Sequence, residues 1–122
     1  MTANEFQIKA HEFSDFPSPI IYEDFHEHTQ TNVLDYTYPA LGLAEEAGEV
    51  AGKYAKAVRD CNGVVDGERR EAIKKELGDV LWFVAELSTQ LNLTLEEVMA
   101  ANIEKLTSRR NRGVIHGNGD NR

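Results

Sequence analysis

The chain has 122 residues, 41% of them hydrophobic, and a formal net charge of −8. That length suits one domain, and the apolar fraction is enough for a core and too high for a disordered chain. The acidic balance argues against general nucleic-acid binding, since phosphate backbones require a basic surface. One cysteine, Cys61, leaves no intrachain disulfide and fits a reducing compartment. Met1–Ala10 has no apolar run behind a basic region, and no stretch approaches the length of a membrane span. The expected location is the cytoplasm.

In chain order, Asn4–Phe13 is predicted as a short helix with Phe6, Ala10 and Phe13 on one side. Phe16-Pro17-Ser18-Pro19 ends it, because proline lacks an N–H and restricts its predecessor. Ile20–Thr37 mixes aromatics, acids and histidines without a clean period and reads mostly as loop. Pro39 suits a first helical turn. Leu43, Ala47, Val50, Tyr54, Ala57 and Val58 then recur at helical spacing to about Arg59, while Glu45, Glu46, Glu49 and Lys53 gather on the other side. Asp60-Cys61-Asn62-Gly63 and Asp66-Gly67 are turn signals.

A third helix is predicted from about Glu68 to Leu91. Its apolar face is Ile73, Leu77, Val80, Leu81, Val84, Leu87 and Leu91, beside a stripe of Glu76, Asp79, Phe83 and Glu86. Asn92-Leu93 breaks it. Thr94-Leu95-Glu96-Glu97 then fits a capping box that opens a fourth helix to about Arg110. Gly113–Arg122 reads as a flexible tail. The sum is an all-α fold, an antiparallel bundle of about four helices, with residues 1–122 as one domain. Trp82 and Phe83 cannot both face one core, so a homo-oligomer is expected to bury the surplus apolar stripe.

Two acidic motifs stand out: Glu45-Glu46-Ala47-Gly48-Glu49 and Glu76-Leu77-Gly78-Asp79. Residues at i and i+3 share a helix face, so Glu46 with Glu49, and Glu76 with Asp79, can each grip a cation. One such pair alone would read as a solvated face. Two pairs on neighbouring helices would bring four carboxylates together, and hard divalent cations relieve that repulsion. Gly48 and Gly78 each weaken a helix by up to ~1 kcal/mol relative to alanine, which suggests close helix approach there. A second stripe, Asn102, Lys105, Arg109 and Arg112, falls along one side of the fourth helix. Read plainly, it is a basic C-terminal turn that suits the helix dipole. Its cations also suit phosphates, and its amide a base or a sugar hydroxyl.

The run Gly42–Val50, the later Glu76-Leu77-Gly78-Asp79-Val80-Leu81-Trp82, the Thr94–Val98 cap and Asn102-Ile103-Glu104-Lys105-Leu106 together resemble the MazG-like nucleotide pyrophosphohydrolases. The closing Arg112-Gly113-Val114-Ile115 and Gly119-Asp120-Asn121-Arg122 are similar to the short single-domain members of bacteria and phages. The resemblance spans roughly Tyr38 to Arg122. It implies hydrolysis of a (deoxy)nucleoside triphosphate between the α and β phosphates, giving a monophosphate and pyrophosphate and controlling the nucleotide pool. It further implies two or more Mg²⁺ ions on Glu46, Glu49, Glu76 and Asp79, with Mn²⁺ able to substitute. Glu45, together with Glu46, is a candidate for activating the attacking water, although Glu45 lies off the main acidic line and equally reads as a solvated carboxylate.

Lys105, Arg109 and Arg112 are candidates for holding the phosphates, and Lys53 is a further candidate for binding the substrate. Asn102 is the candidate for base or sugar recognition. Trp82 or Phe83 could stack on the base or simply fill the core. Phage-type members point towards purine, in particular guanine, but base and sugar stay open. A homodimer or homotetramer whose neighbouring subunits complete the site is expected from the family.

Two other classes compete. One is a non-catalytic oligomeric helical module that binds metal, nucleotide or a protein partner. The other is a di-iron protein, suggested by Glu23-Asp24-Phe25-His26. That fold needs two such motifs on long helices, and only one occurs. His26 and His28 lack the partners of a tetrahedral zinc site. The N-terminal aromatics Phe13, Phe16, Tyr22 and Phe25 could close over a nucleoside or cover the bundle, and Asp120 and Arg122 could fold over it as a lid.

Overall fold

The computed structural model describes residues 1–14 and 33–119, with side chains described from residue 38 onward in the second helix. Four helices follow one another: α1 (Ala3–His11), α2 (Val33–Cys61), α3 (Gly67–Gln90) and α4 (Leu95–Asn111), with no strand among the described residues. The all-α expectation holds, and α1, α3 and α4 lie within two residues of their predicted bounds. The start of α2 does not: Val33–Thr37 is helical rather than loop, and Pro39 sits inside the helix rather than in its first turn. An interior proline costs about 3 kcal/mol in a lost hydrogen bond and steric conflict. Here its ring is fully buried, so apolar burial opposes that cost. The prolines at 17 and 19, the histidines at 26 and 28, the Glu23–His26 motif, and Asp120 and Arg122 lie outside the described residues.

α2 and α3 form the long hairpin of the fold. Asn62 and Gly63 take positive φ in the turn between them, as the Asn-Gly pair allows. At Gly42 the second helix lies directly against the Phe83 ring of α3. A Cβ there would meet Phe83 Cε2 at 2.9 Å, with Cζ and Cε1 nearer still. Gly48 and Gly78 were expected to mark close approach, and they do not: a Cβ at either meets nothing within 4 Å. Glycine tolerance in a helix signals close packing only where the glycine faces the partner, and these two face outward. Gly48→Ala should therefore stabilise the protein by up to ~1 kcal/mol through helix propensity, read as a higher midpoint in urea unfolding.

α1 packs on α3 and α4. The Trp82 indole donates to the Ala10 carbonyl at 3.0 Å, and Ala10, Ala85 and Leu95 form a small buried core. α1 also caps α4. A helix begins with N–H groups that have no partner within it. Leu95 N donates to Gln7 Oε1 at 2.7 Å, Glu96 N to Asn4 Oδ1 at 3.3 Å, and Glu97 N to Thr94 Oγ1 at 3.1 Å. Glu97 returns the bond by accepting from Thr94 N at 2.8 Å, so the predicted capping box is present. Donation from the Thr94 N–H, and from its hydroxyl at 2.8 Å, holds the Glu97 carboxyl below the usual glutamate range. Thr94→Ala should cost about 1 kcal/mol of stability, seen as an earlier thermal midpoint.

Glu86 was expected in one stripe with Glu76, Asp79 and Phe83. Its side chain is fully buried, with Oε2 3.2 Å from His11 Nδ1 and Oε1 without a partner among the described residues. It serves the α1–α3 contact rather than the acidic cluster.

Candidate metal centre

Three carboxylates converge across the α2–α3 hairpin. Glu46 from α2, with Glu76 and Asp79 one turn apart on α3, can place one oxygen each within 4.8 Å of one another. The i, i+3 spacing aims both α3 acids the same way, and the hairpin brings Glu46 opposite. Glu46 and Glu76 are half-buried and Asp79 is exposed. The Glu46 carboxyl is pushed above its ordinary value, first by loss of solvent and then by the charges of Asp79, Glu45, Glu76 and Glu49. The cluster therefore concentrates negative charge around Glu46. Glu49 and Glu45 are exposed and stand outside the converging three, adding to the field at longer range.

One internal cation answers that field. Lys53 Nζ lies 2.8 Å from Glu76 Oε1. The bond to Glu76, together with the charges of Glu76 and Glu49, raises the ammonium above its ordinary value. Lys53, a candidate for binding substrate, rests on the carboxylates and also borders a cleft of about 280 Å³ with Lys56, Arg69, Asp60, Glu68 and Ala72. A donor set of three carboxylates, with neither sulfur nor imidazole among them, suits a hard cation such as Mg²⁺ or Mn²⁺ rather than zinc. The residues present thus fit a divalent ion of that kind.

The α4 stripe is divided. Asn102 and Lys105 line one shallow surface depression with Leu93, Glu97, Val98 and Ala101. Arg109 is buried, and its guanidinium donates to the Gly119 carbonyl at 3.3 Å. Arg112 is exposed and its Nε lies 3.4 Å from Ser108 Oγ. Arg109 thus ties the tail back onto α4, and Gly113 at φ 70° makes the turn that permits it. Among the described residues α4 contacts α1 and α3 but not α2. Among the described residues, the helix that carries the basic stripe and the helix that carries Glu46 are thus not packed on each other. Trp82 packs edge-on to Phe83 at 4.8 Å between centroids and holds α1.

Sequence reasoning did not single out Gln7 and Asn4, whose side chains accept from the first N–H groups of α4. It also missed the Lys53–Glu76 pair, although Lys53 had been placed on the acidic face of α2.

Fold and site together define an all-helical protein with a cation-attracting acidic centre on a helical hairpin. A family model, the MazG nucleotide pyrophosphohydrolase domain, matches residues 37–114. The chain is also 50% identical over 86 residues to Gene 37 protein of Mycobacterium phage L5, covering 70% of this chain and 75% of that protein. The chain belongs to the MazG nucleotide pyrophosphohydrolase family. No solved structure matches it. No helix among the described residues is long and apolar enough to cross a membrane.

Proposed function

We propose that this protein is a Mg²⁺-dependent hydrolase that cleaves a nucleoside triphosphate between its α and β phosphates, releasing a nucleoside monophosphate and pyrophosphate. The observation that carries this reading is the convergence of Glu46, Glu76 and Asp79 to within 4.8 Å, in a chain of this family. A bound divalent ion supplies charge neutralisation at the phosphates and a water of lowered pKa. Glu46, Glu76 and Asp79 hold it, and Glu49 stands ready at the rim for a second ion. Glu45, exposed beside Glu46, is the candidate to accept the proton of the attacking water.

Asn102, Lys105 and Arg112 hold the nucleotide, and Arg109 positions the tail beside them. Because α4 does not pack on α2 among the described residues, the basic stripe meets the carboxylates through a second copy. The apolar stripe predicted on the hairpin supports this: Tyr54, Val58 and Leu81 are 50%, 67% and 52% exposed, bare apolar surface of the kind that marks an interaction site. Purine, in particular guanine, nucleotides are the first substrates to try, in a role of controlling the nucleotide pool.

The test is a panel of ribo- and deoxynucleoside triphosphates with Mg²⁺, separating pyrophosphate from orthophosphate. Pyrophosphate release that disappears on chelation is expected. Orthophosphate alone, or activity surviving Glu49→Gln combined with Asp79→Asn, would defeat the reading. Binding by calorimetry without turnover would favour a non-catalytic module.

A further inference from the structure

The carboxylate cluster already holds a cation that belongs to the chain. Lys53 Nζ crosses from α2 to Glu76 Oε1 on α3 at 2.8 Å, with the lysine side chain 28% and the glutamate side chain 18% exposed. Glu76 is also one of the three groups whose oxygens converge within 4.8 Å. A divalent ion at that convergence and an ammonium on the same carboxylate would be two cations a few ångströms apart, and their repulsion is only partly screened at a half-buried site. The two occupancies oppose each other.

Lys53 also has somewhere to go. It lines the cleft of about 280 Å³ that Lys56 and Arg69 share, on the flank of the cluster. We infer that Lys53 is a resident counterion: it satisfies Glu76 in the metal-free protein and is displaced by the divalent ion, which frees its ammonium for the anionic end of the substrate. Metal loading then sets two things at once, the charge on the carboxylates and the position of a cation beside the phosphates. A protein without metal keeps Lys53 on Glu76 and offers phosphate a weaker site. This inference rests on the cation-site reading above and adds the competitor built into it.

Calorimetric titration of the full chain with Mn²⁺ alone tests it. Lys53→Met should bind Mn²⁺ roughly two- to fivefold more tightly than wild type, the scale of a partly exposed ion pair. Lys56→Met removes the same charge one turn away, from a residue lining the same cleft, and should change the affinity by less than half as much. Equal tightening in both variants would mean diffuse charge rather than displacement and would overturn the inference, as would unchanged or weaker binding by Lys53→Met. Lys53→Gln is the second variant if methionine promotes association, and circular dichroism verifies the helices. Absence of Mn²⁺ binding in wild type and variants alike would overturn the cation-site reading itself. That failure is distinct from binding that ignores Lys53.

Discussion

Glu46→Gln is expected to lower pyrophosphate release by about 100-fold or more while making the metal-free protein more stable. The substitution keeps the shape of the side chain and removes its charge. At the centre, a lost carboxylate weakens the grip on an ion whose contribution to phosphoryl chemistry is several kcal/mol, and each ~1.4 kcal/mol is tenfold in rate. In the metal-free fold the same carboxylate is disfavoured by partial burial and by the charges of Asp79, Glu45, Glu76 and Glu49, so neutralising it relieves repulsion. The paired readout is steady-state pyrophosphate release with Mg²⁺ and thermal unfolding in a chelator. Opposite signs in the two assays are the mark of a site kept for function at the expense of stability. A fall in both would assign Glu46 a structural role instead. Added Mg²⁺ should raise the wild-type midpoint through binding linkage, and should do so far less in Glu46→Gln.

Gly42→Ala is expected to destabilise the fold by about 2 kcal/mol, lowering the thermal midpoint by roughly 10 °C. Elsewhere in a helix the same change would help by up to ~1 kcal/mol. At Gly42 the new methyl would fall on the Phe83 ring, with Cε2 at 2.9 Å and two ring atoms closer. Phe83 is buried, held edge-on by Trp82 at 4.8 Å and flanked by Tyr38 at 6.2 Å between centroids, so it has little room to retreat. Phe83→Leu in the Gly42→Ala background should cost clearly less than Phe83→Leu alone, because the smaller side chain vacates the space the methyl needs. Additive losses in that cycle would show that the two positions do not meet.

The positions of these two predictions mark where sequence reasoning succeeded and where it did not. Glu46, Glu76 and Asp79 were legible because a helix converts spacing into direction: an i, i+3 pair points one way whatever surrounds it. The Thr94–Glu97 cap was legible for the same local reason. Gly42 was not singled out while Gly48 and Gly78 were, because close approach depends on which face of α2 meets α3 at a given height. Hydrophobic periodicity misjudged that face in part: Tyr54 and Val58, expected on the apolar side, are 50% and 67% exposed. A stripe shared between an internal core and another surface looks the same in one dimension.

What the sequence by itself determined is the helical content, most of the helix boundaries and the identity of the acids, all consequences of interactions within a turn or two of chain. Only the tertiary structure decided which acids converge, that Lys53 sits on Glu76, that Gln7 and Asn4 of α1 cap a helix about 90 residues away, and that α4 packs on α1 and α3 rather than on α2 among the described residues. Those are pairings between residues distant in sequence. Their choice depends on which burial, among several of similar hydrophobic gain, also leaves most buried polar groups with a partner.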